Sequence, residues 1–247
     1  MNTSDESICI SDLQKVDKSS ISVPNSDLPK IITDPSDLSD LETNGKFRVS
    51  IFGSARMQPG DSFYEMTYRL AKELAQRDIG IVSGGGPGIM EAANKGHKEG
   101  SEGNDSSSIG LTIRLPFEAE HNDFLDREKY FEKFSNRLDQ FMRLSNAVVV
   151  MPGGIGTCLE LFYTWQLIQV KHICPIPIIL YGKMWRHLLD WVRMDLRDRY
   201  KTISPEDFEM PHYSPDLKDL VDVIEYVKSA YDDSDGESCL NHVVYPK

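Results

Sequence analysis

Apolar and polar positions along the chain switch repeatedly between two periods. Residues 47–52 form an apolar-rich run that ends at Gly53, which predicts a strand. Phe63, Met66, Leu70 and Leu74 then recur at helical spacing, which predicts an amphipathic helix. The switch repeats with strands at 79–83 and 109–115, separated by a helix over 89–99. A short strand at 130–134 precedes a helix over about 136–144, and a wholly apolar strand follows at 147–151. Next come a helix over about 156–170, a strand at 176–180, and helices near 185–193 and 216–231. Such alternation predicts an α/β fold: a single Rossmann-like domain over 47–231, with a parallel sheet and helices on both faces. The apolar run at 147–151 suits the centre of such a sheet. No internal repeat is present.

The two ends break this pattern. Residues 1–46 hold nine serines, and Pro24, Pro29 and Pro35 interrupt any period. The expectation there is a disordered or loosely attached arm, with an acidic tail over 232–247. The formal net charge is −12, with nine acids against four lysines in the arm and four acids against one lysine in the tail. Most of the acidity therefore belongs to the ends and not to the body. No basic block suits a phosphate backbone, so nucleic acid is not an expected partner. The first ten residues do not resemble a signal peptide, and no apolar run is long enough to span a membrane. Cys9, Cys158, Cys174 and Cys239 lie far apart without metal-ligand spacing and read as unpaired thiols. Unpaired thiols point to a reducing compartment, and the cytoplasm is the expected location.

Candidate chemistry sits where strands end. Three predicted strands run into small-residue loops that lead to helices: Gly53-Ser54-Ala55-Arg56, Gly84-Gly85-Gly86-Pro87-Gly88, and Pro152-Gly153-Gly154-Ile155-Gly156-Thr157. Ligands in open parallel sheets bind beyond the carboxyl ends of the strands. Glycine lets backbone N–H groups approach an anion, and a helix N-terminus adds unpaired donors. The expected phosphate-binding residues are Gly53, Ser54, Gly85, Gly86, Gly153, Gly154, Gly156 and Thr157. Taken singly, each loop could be only a turn. The dinucleotide spacing G-x-G-x-x-G and the triphosphatase pattern G-x-x-x-x-G-K-[ST] are both missing.

Two charged residues flank the third loop. Glu160 follows Thr157 by three, so it reads either as half of a capping box or as a carboxylate held ionised beside a phosphate loop. Arg137 opens the preceding helix, where a cation opposes the helix dipole and calls for a compensating anion; a solvated surface arginine is the plainer reading. Trp165 reads as core packing ahead of a base-stacking platform. Lys95 and Lys98 read as a solvated face, and His172 is a lone loop histidine.

These motifs resemble the LOG family, formerly labelled possible lysine decarboxylases, over residues 48–191. GSAR at 53–56, SGGGPGIMEAANKG at 83–96 and PGGIGTCLE at 152–160 carry the resemblance, with TWQLIQVKH at 164–172 similar to the family's continuation. The resemblance implies cleavage of nucleoside 5′-monophosphates, among them AMP and cytokinin riboside monophosphates, to free base and ribose 5-phosphate. It implies that Glu160 is the catalytic carboxylate and that Arg137 is the catalytic arginine of an R-K-x-x-[MF] pattern. Phe141 fits that pattern, and Leu138 stands where the family has lysine. It further suggests a homodimer, with apolar faces around Phe162 and Trp165 as contacts. No cofactor and no metal are expected. The same architecture also serves nucleotide sensors and molybdenum-cofactor carriers, so a binding-only module is the alternative.

Overall fold

A computed structural model describes residues 45–113 and 121–233. Nearly all of the expected arm and tail, and the last two residues of the predicted strand at 109–115, lie outside these. In chain order the elements are β1 (Arg48–Phe52), α1 (Ser62–Gln76), β2 (Gly80–Ser83), α2 (Ile89–Gly100), β3 (Ser108–Ile113), β4 (Arg127–Phe131) and α3 (Phe134–Leu144). There follow β5 (Ala147–Val150), α4 (Ile155–Gln169), β6 (Ile178–Tyr181), α5 (Lys183–Trp191), a π-helical stretch (Val192–Arg199), α6 (Pro205–Phe208), β7 (Pro211–Ser214) and α7 (Leu217–Asp233).

All seven strands pair in parallel, in the order β4-β3-β2-β1-β5-β6-β7. The chain winds outward from β1 to one edge, returns across to β5, and winds outward to the other edge. The switch point therefore lies between β1 and β5, whose register pairs Val49 with Ala147 and Phe52 with Val150. A crevice opens at such a point because the following loops diverge to opposite faces.

The two-residue period of the strands sorts side chains between two cores. Ile51 and Val149 join Leu70, Leu74, Ile224 and Val227 on the face covered by α1, α2 and α7. Their neighbours Phe52, Val148 and Val150 join Phe141, Leu161, Trp165 and Trp185 on the face covered by α3, α4 and α5. Both faces of β1 and β5 are buried, which is why residues 147–151 read as continuously apolar.

Edge strands depart from the sequence expectation. β4 lies at Arg127–Phe131 and not at 130–134, and its burial is confined mainly to Phe131. As an edge strand it needs little apolar surface, so hydrophobicity alone placed it too late. The four-residue β7 and α6 were not expected. β7 is a polar edge that tolerates Pro211 at its first position, and α6 is held by a Ser204–Asp207 capping box. Cys174 is disulfide-bonded and Cys158 is free, which corrects the reading of four unpaired thiols. Spacing carries no information about which cysteines a fold brings together, and the thiol argument for a reducing compartment falls with it. Among the described residues no helix is long and apolar enough to cross a membrane.

Candidate active site

The three glycine loops meet above the sheet around an open cleft of about 1220 Å³. Gly53, Ser54, Gly85, Gly86, Gly153, Gly154, Gly156, Thr157, Arg137 and Glu160 all line it. Ser54 joins the loops. Its N–H donates to the Pro152 carbonyl (3.1 Å), and its own carbonyl accepts from Ile89 N–H (3.0 Å). Its hydroxyl accepts from Arg56 N–H (3.1 Å). Gly88, at φ +72°, passes so close to this junction that a Cβ there would lie 2.4 Å from the Ser54 carbonyl oxygen.

The third loop ends in helix α4, whose N-cap is Gly154. Cys158 N–H makes the first helical bond, to the Gly154 carbonyl (2.9 Å). The N–H groups of Ile155, Gly156 and Thr157 precede it in the first turn, where a helix has donors without intrahelical acceptors. Thr157 is the third helical residue and is buried, with its side chain packed against Gly153. Hence Thr157 is not an N-cap and forms no capping box with Glu160. Glu160 belongs to the second turn, because the helix starts earlier than its sequence pattern suggested.

Arg137 and Glu160 are brought together. Arg137 Nη1 lies 4.0 Å from Glu160 Oε1, with side chains only 12% and 14% exposed. Arg137 Nε donates to the Leu111 carbonyl within β3 (2.6 Å), and the guanidinium lies over the Phe141 ring, 5.4 Å from its centroid. Phe141 sits one helical turn further along α3, wholly buried, so the arginine–phenylalanine spacing builds a platform for the cation. Leu138 is buried at 6% exposure and does not line the cleft; its difference from the family pattern falls on the packing side of α3. Burial pushes the Glu160 carboxyl up to about 7, against the pull of Arg137. Desolvation thus outweighs the positive helix end that the sequence reading invoked.

The second loop rests on polar residues that sequence reasoning missed. Ser83 Oγ accepts from Gly85 N–H (3.0 Å) and donates to Asn94 Oδ1 (2.8 Å). Asn94 Nδ2 donates to Ser108 Oγ (2.7 Å). Asn122 Nδ2 donates to the Gly85 carbonyl (3.1 Å), the Gly86 carbonyl (2.9 Å) and Asn94 Oδ1 (2.9 Å). All four side chains are buried. Gly85 thus spends its N–H on Ser83, so it offers no donor to a ligand, contrary to its expected role. Ser83 and Asn94 stand inside the SGGGPGIMEAANKG motif. Asn122 has no such signal, since it precedes an edge strand from which nothing in the pattern singles it out. His121, Glu128 and Tyr130 also line the cleft from the β4 side, with His121 Nδ1 3.1 Å from the Tyr130 hydroxyl.

Other residues weighed from sequence lie apart. Trp165 is core, 7% exposed, and its indole N–H donates to the Asp207 carbonyl (2.8 Å); it is not a surface contact. His172 is exposed and off the cleft, and Lys98 is exposed with its ammonium 3.4 Å from the Asp123 carbonyl. Among the described residues no group of three potential ligands could hold a metal ion.

A family model described as possible lysine decarboxylase matches residues 90–224, which include Arg137 and Glu160. The pyrimidine/purine nucleotide 5′-monophosphate nucleosidase of Escherichia coli K12 is 28% identical over 181 residues, 69% of this chain but 39% of that protein. The chain thus spans about two fifths of that relative's length. The cytokinin riboside 5′-monophosphate phosphoribohydrolase LOG7 of Arabidopsis thaliana is 24% identical over 78% of this chain and 88% of its own. Among solved structures, the molybdenum cofactor carrier protein of Chlamydomonas reinhardtii superposes with a TM-score of 0.54 at 19% identity, over 74% of this chain and 99% of that one. The molybdenum cofactor binding protein of Rippkaea orientalis gives 0.56 at 16%, over 74% and 98%. At these identities the two structures speak for the fold alone.

Proposed function

The chain belongs to the possible lysine decarboxylase family, also called the LOG family, and from that membership we propose that it hydrolyses the N-glycosidic bond of a nucleoside 5′-monophosphate. AMP and cytokinin riboside monophosphates are the substrates to test first; the products are free base and ribose 5-phosphate. The observation that carries this reading is the Arg137–Glu160 pair, desolvated in a cleft rimmed by glycine loops.

In this reading the 5′-phosphate sits at the N-terminus of α4, on the N–H groups of Ile155, Gly156 and Thr157. Holding that unreacting group aims the ribose at Glu160. As the C1′–N bond breaks, its electron pair leaves with the base and positive charge builds on the ribose ring. The Glu160 carboxylate stabilises that charge and takes a proton from the attacking water, whose oxygen bonds to C1′. The proton ends on the departing base. Arg137 keeps Glu160 ionised near neutrality against the cost of burial. A decarboxylase using a lysine Schiff base finds no support, since among the described residues no lysine lines the cleft.

A homodimer is part of the proposal. Ile155, Leu159 and Phe162 fall on one face of α4 and are 87%, 46% and 40% exposed, beside the cleft.

The test is incubation with a panel of nucleoside monophosphates, with free base and ribose 5-phosphate as readouts. Glu160→Gln should lower single-turnover cleavage by about a thousandfold or more while nucleotide affinity changes far less. A variant that melts normally and cleaves at the parent rate overturns the mechanism. A parent that binds monophosphates and never releases base makes the chain a binding module.

A further inference from the structure

We propose that Asn122 is a positioning residue that turns the second glycine loop into a reader of the ribose 2′-hydroxyl. The proposal rests on the nucleotide reading of the cleft given above.

The argument starts from peptide geometry. In a trans peptide unit the carbonyl and the following N–H point in opposite directions, and no peptide among the described residues is cis. The Gly85 carbonyl is fixed by Asn122 twice, from its backbone N–H (2.9 Å) and from its side-chain amide (3.1 Å). The N–H of the same unit belongs to Gly86 and must point away from Asn122. Asn122 is buried beneath the loop, 8% exposed, and Gly86 lines the cleft. The Gly86 N–H is therefore aimed at the cleft.

This donor is suited to a neutral hydroxyl more than to a phosphate. Gly85 N–H is bound to Ser83 Oγ, Ile89 N–H to the Ser54 carbonyl, and position 87 is a proline without N–H. A phosphate needs several convergent donors, which the start of α4 supplies, whereas two of the donors around the second loop are already bonded inside the protein. The second loop also abuts the charged pair: a Cβ on Gly84 would lie 2.4 Å from Arg137 Nη2, and Arg137 Nη1 lies 4.0 Å from Glu160. If Glu160 faces C1′, the sugar hydroxyl nearest the pair is the one on C2′.

Asn122 is held in turn. Its Oδ1 accepts from Phe124 N–H (3.1 Å), and its amide donates to Asn94 Oδ1 as well as to the two glycine carbonyls. Alanine at 122 would leave the Gly86 carbonyl without its side-chain donor and the Gly85 carbonyl with only the backbone N–H of residue 122, which loosens the Gly85–Gly86 peptide.

The experiment compares AMP with 2′-deoxy-AMP, by kcat/KM and by calorimetric affinity, in the parent, Asn122→Ala and Ser83→Ala. Parent protein should prefer AMP by about tenfold or more in at least one measure. Both variants should bring the two nucleotides toward parity, mainly by weakening AMP. A parent indifferent to the 2′-hydroxyl overturns the proposal without any variant. Variants that weaken both nucleotides equally reduce Asn122 to a structural residue and overturn it too. Ser83→Ala removes only a hydroxyl, so the test survives a misfolded Asn122→Ala. If no base is released by the parent, the hydrolase reading fails while the affinity ratios still decide this one.

Discussion

The second and third glycine loops have similar composition and opposite wiring. In the loop at Gly84–Gly88 a buried set of Ser83, Asn94, Ser108 and Asn122 engages the Gly85 N–H and the Gly85 and Gly86 carbonyls. In the loop before α4 the glycines instead open onto a helix start, where three successive N–H groups precede the first helical bond. Glycine content announces a tight turn in both. Which of them can hold an anion depends on the partners beneath the loop, because a donor already bonded inside the protein is not available to a ligand.

The sharpest way to break the comparison is to damage each loop separately. A Cβ at residue 153 would lie 2.1 Å from Thr157 Oγ1, so Gly153→Ala must shift the start of α4. It should lower kcat/KM for AMP by about a hundredfold, while adenosine, which lacks the anchoring phosphate and should be cleaved poorly by the parent, should change little. Equal losses on AMP and adenosine would remove phosphate anchoring from the third loop.

A smaller effect separates the two loops by pH. Glu160, on the helix that the third loop opens, has a carboxyl raised from 4.5 to about 7 by burial, opposed by Arg137. A carboxyl that binds its proton more tightly when folded loses stability as pH rises from the unfolded value through the folded one. Glu160→Gln should therefore stabilise the protein at pH 8 by on the order of 3 kcal/mol relative to pH 4, the gain appearing between about pH 4.5 and 7. In the satisfied network under the second loop, Ser108→Ala should instead cost about 1 kcal/mol, with no slope across the same window. Chemical denaturation at several pH values reads both; a flat Glu160→Gln curve would mean that its carboxyl is not raised.

The smallest effect concerns the ends. Trimming residues 1–8 and 240–247, which leaves all four cysteines in place, should change the melting temperature by no more than about two degrees, since so few residues bury little apolar surface. Both loops should function as before. A large fall would show that the ends pack on the body.

The sequence was legible where one local rule had no rival. β1 and β5 were readable because strands buried on both faces need apolar runs. The three loops followed from glycine runs at strand ends, and the pairing of Arg137 with Glu160 was implied by resemblance to a family, because the residues alone left a surface arginine and a helix cap open. Where a signal was shared between explanations, it misled. Thr157 and Glu160 have capping-box spacing, yet the turn at Gly154 starts the helix before either of them. β4 and β7 carry little hydrophobicity because edges need little.

By itself, then, the chain's pattern determined a parallel α/β sheet and the strand ends that carry glycine, since each is encoded within a few neighbouring residues, while the charged pair was implied by resemblance to a family. Tertiary structure alone decided the strand order that puts β1 beside β5, the desolvation that lifts Glu160, and the bonds by which Asn122 holds a loop 36 residues away in sequence. Those depend on which segments meet in space. Burial and hydrogen bonding are properties of the meeting, not of the residue.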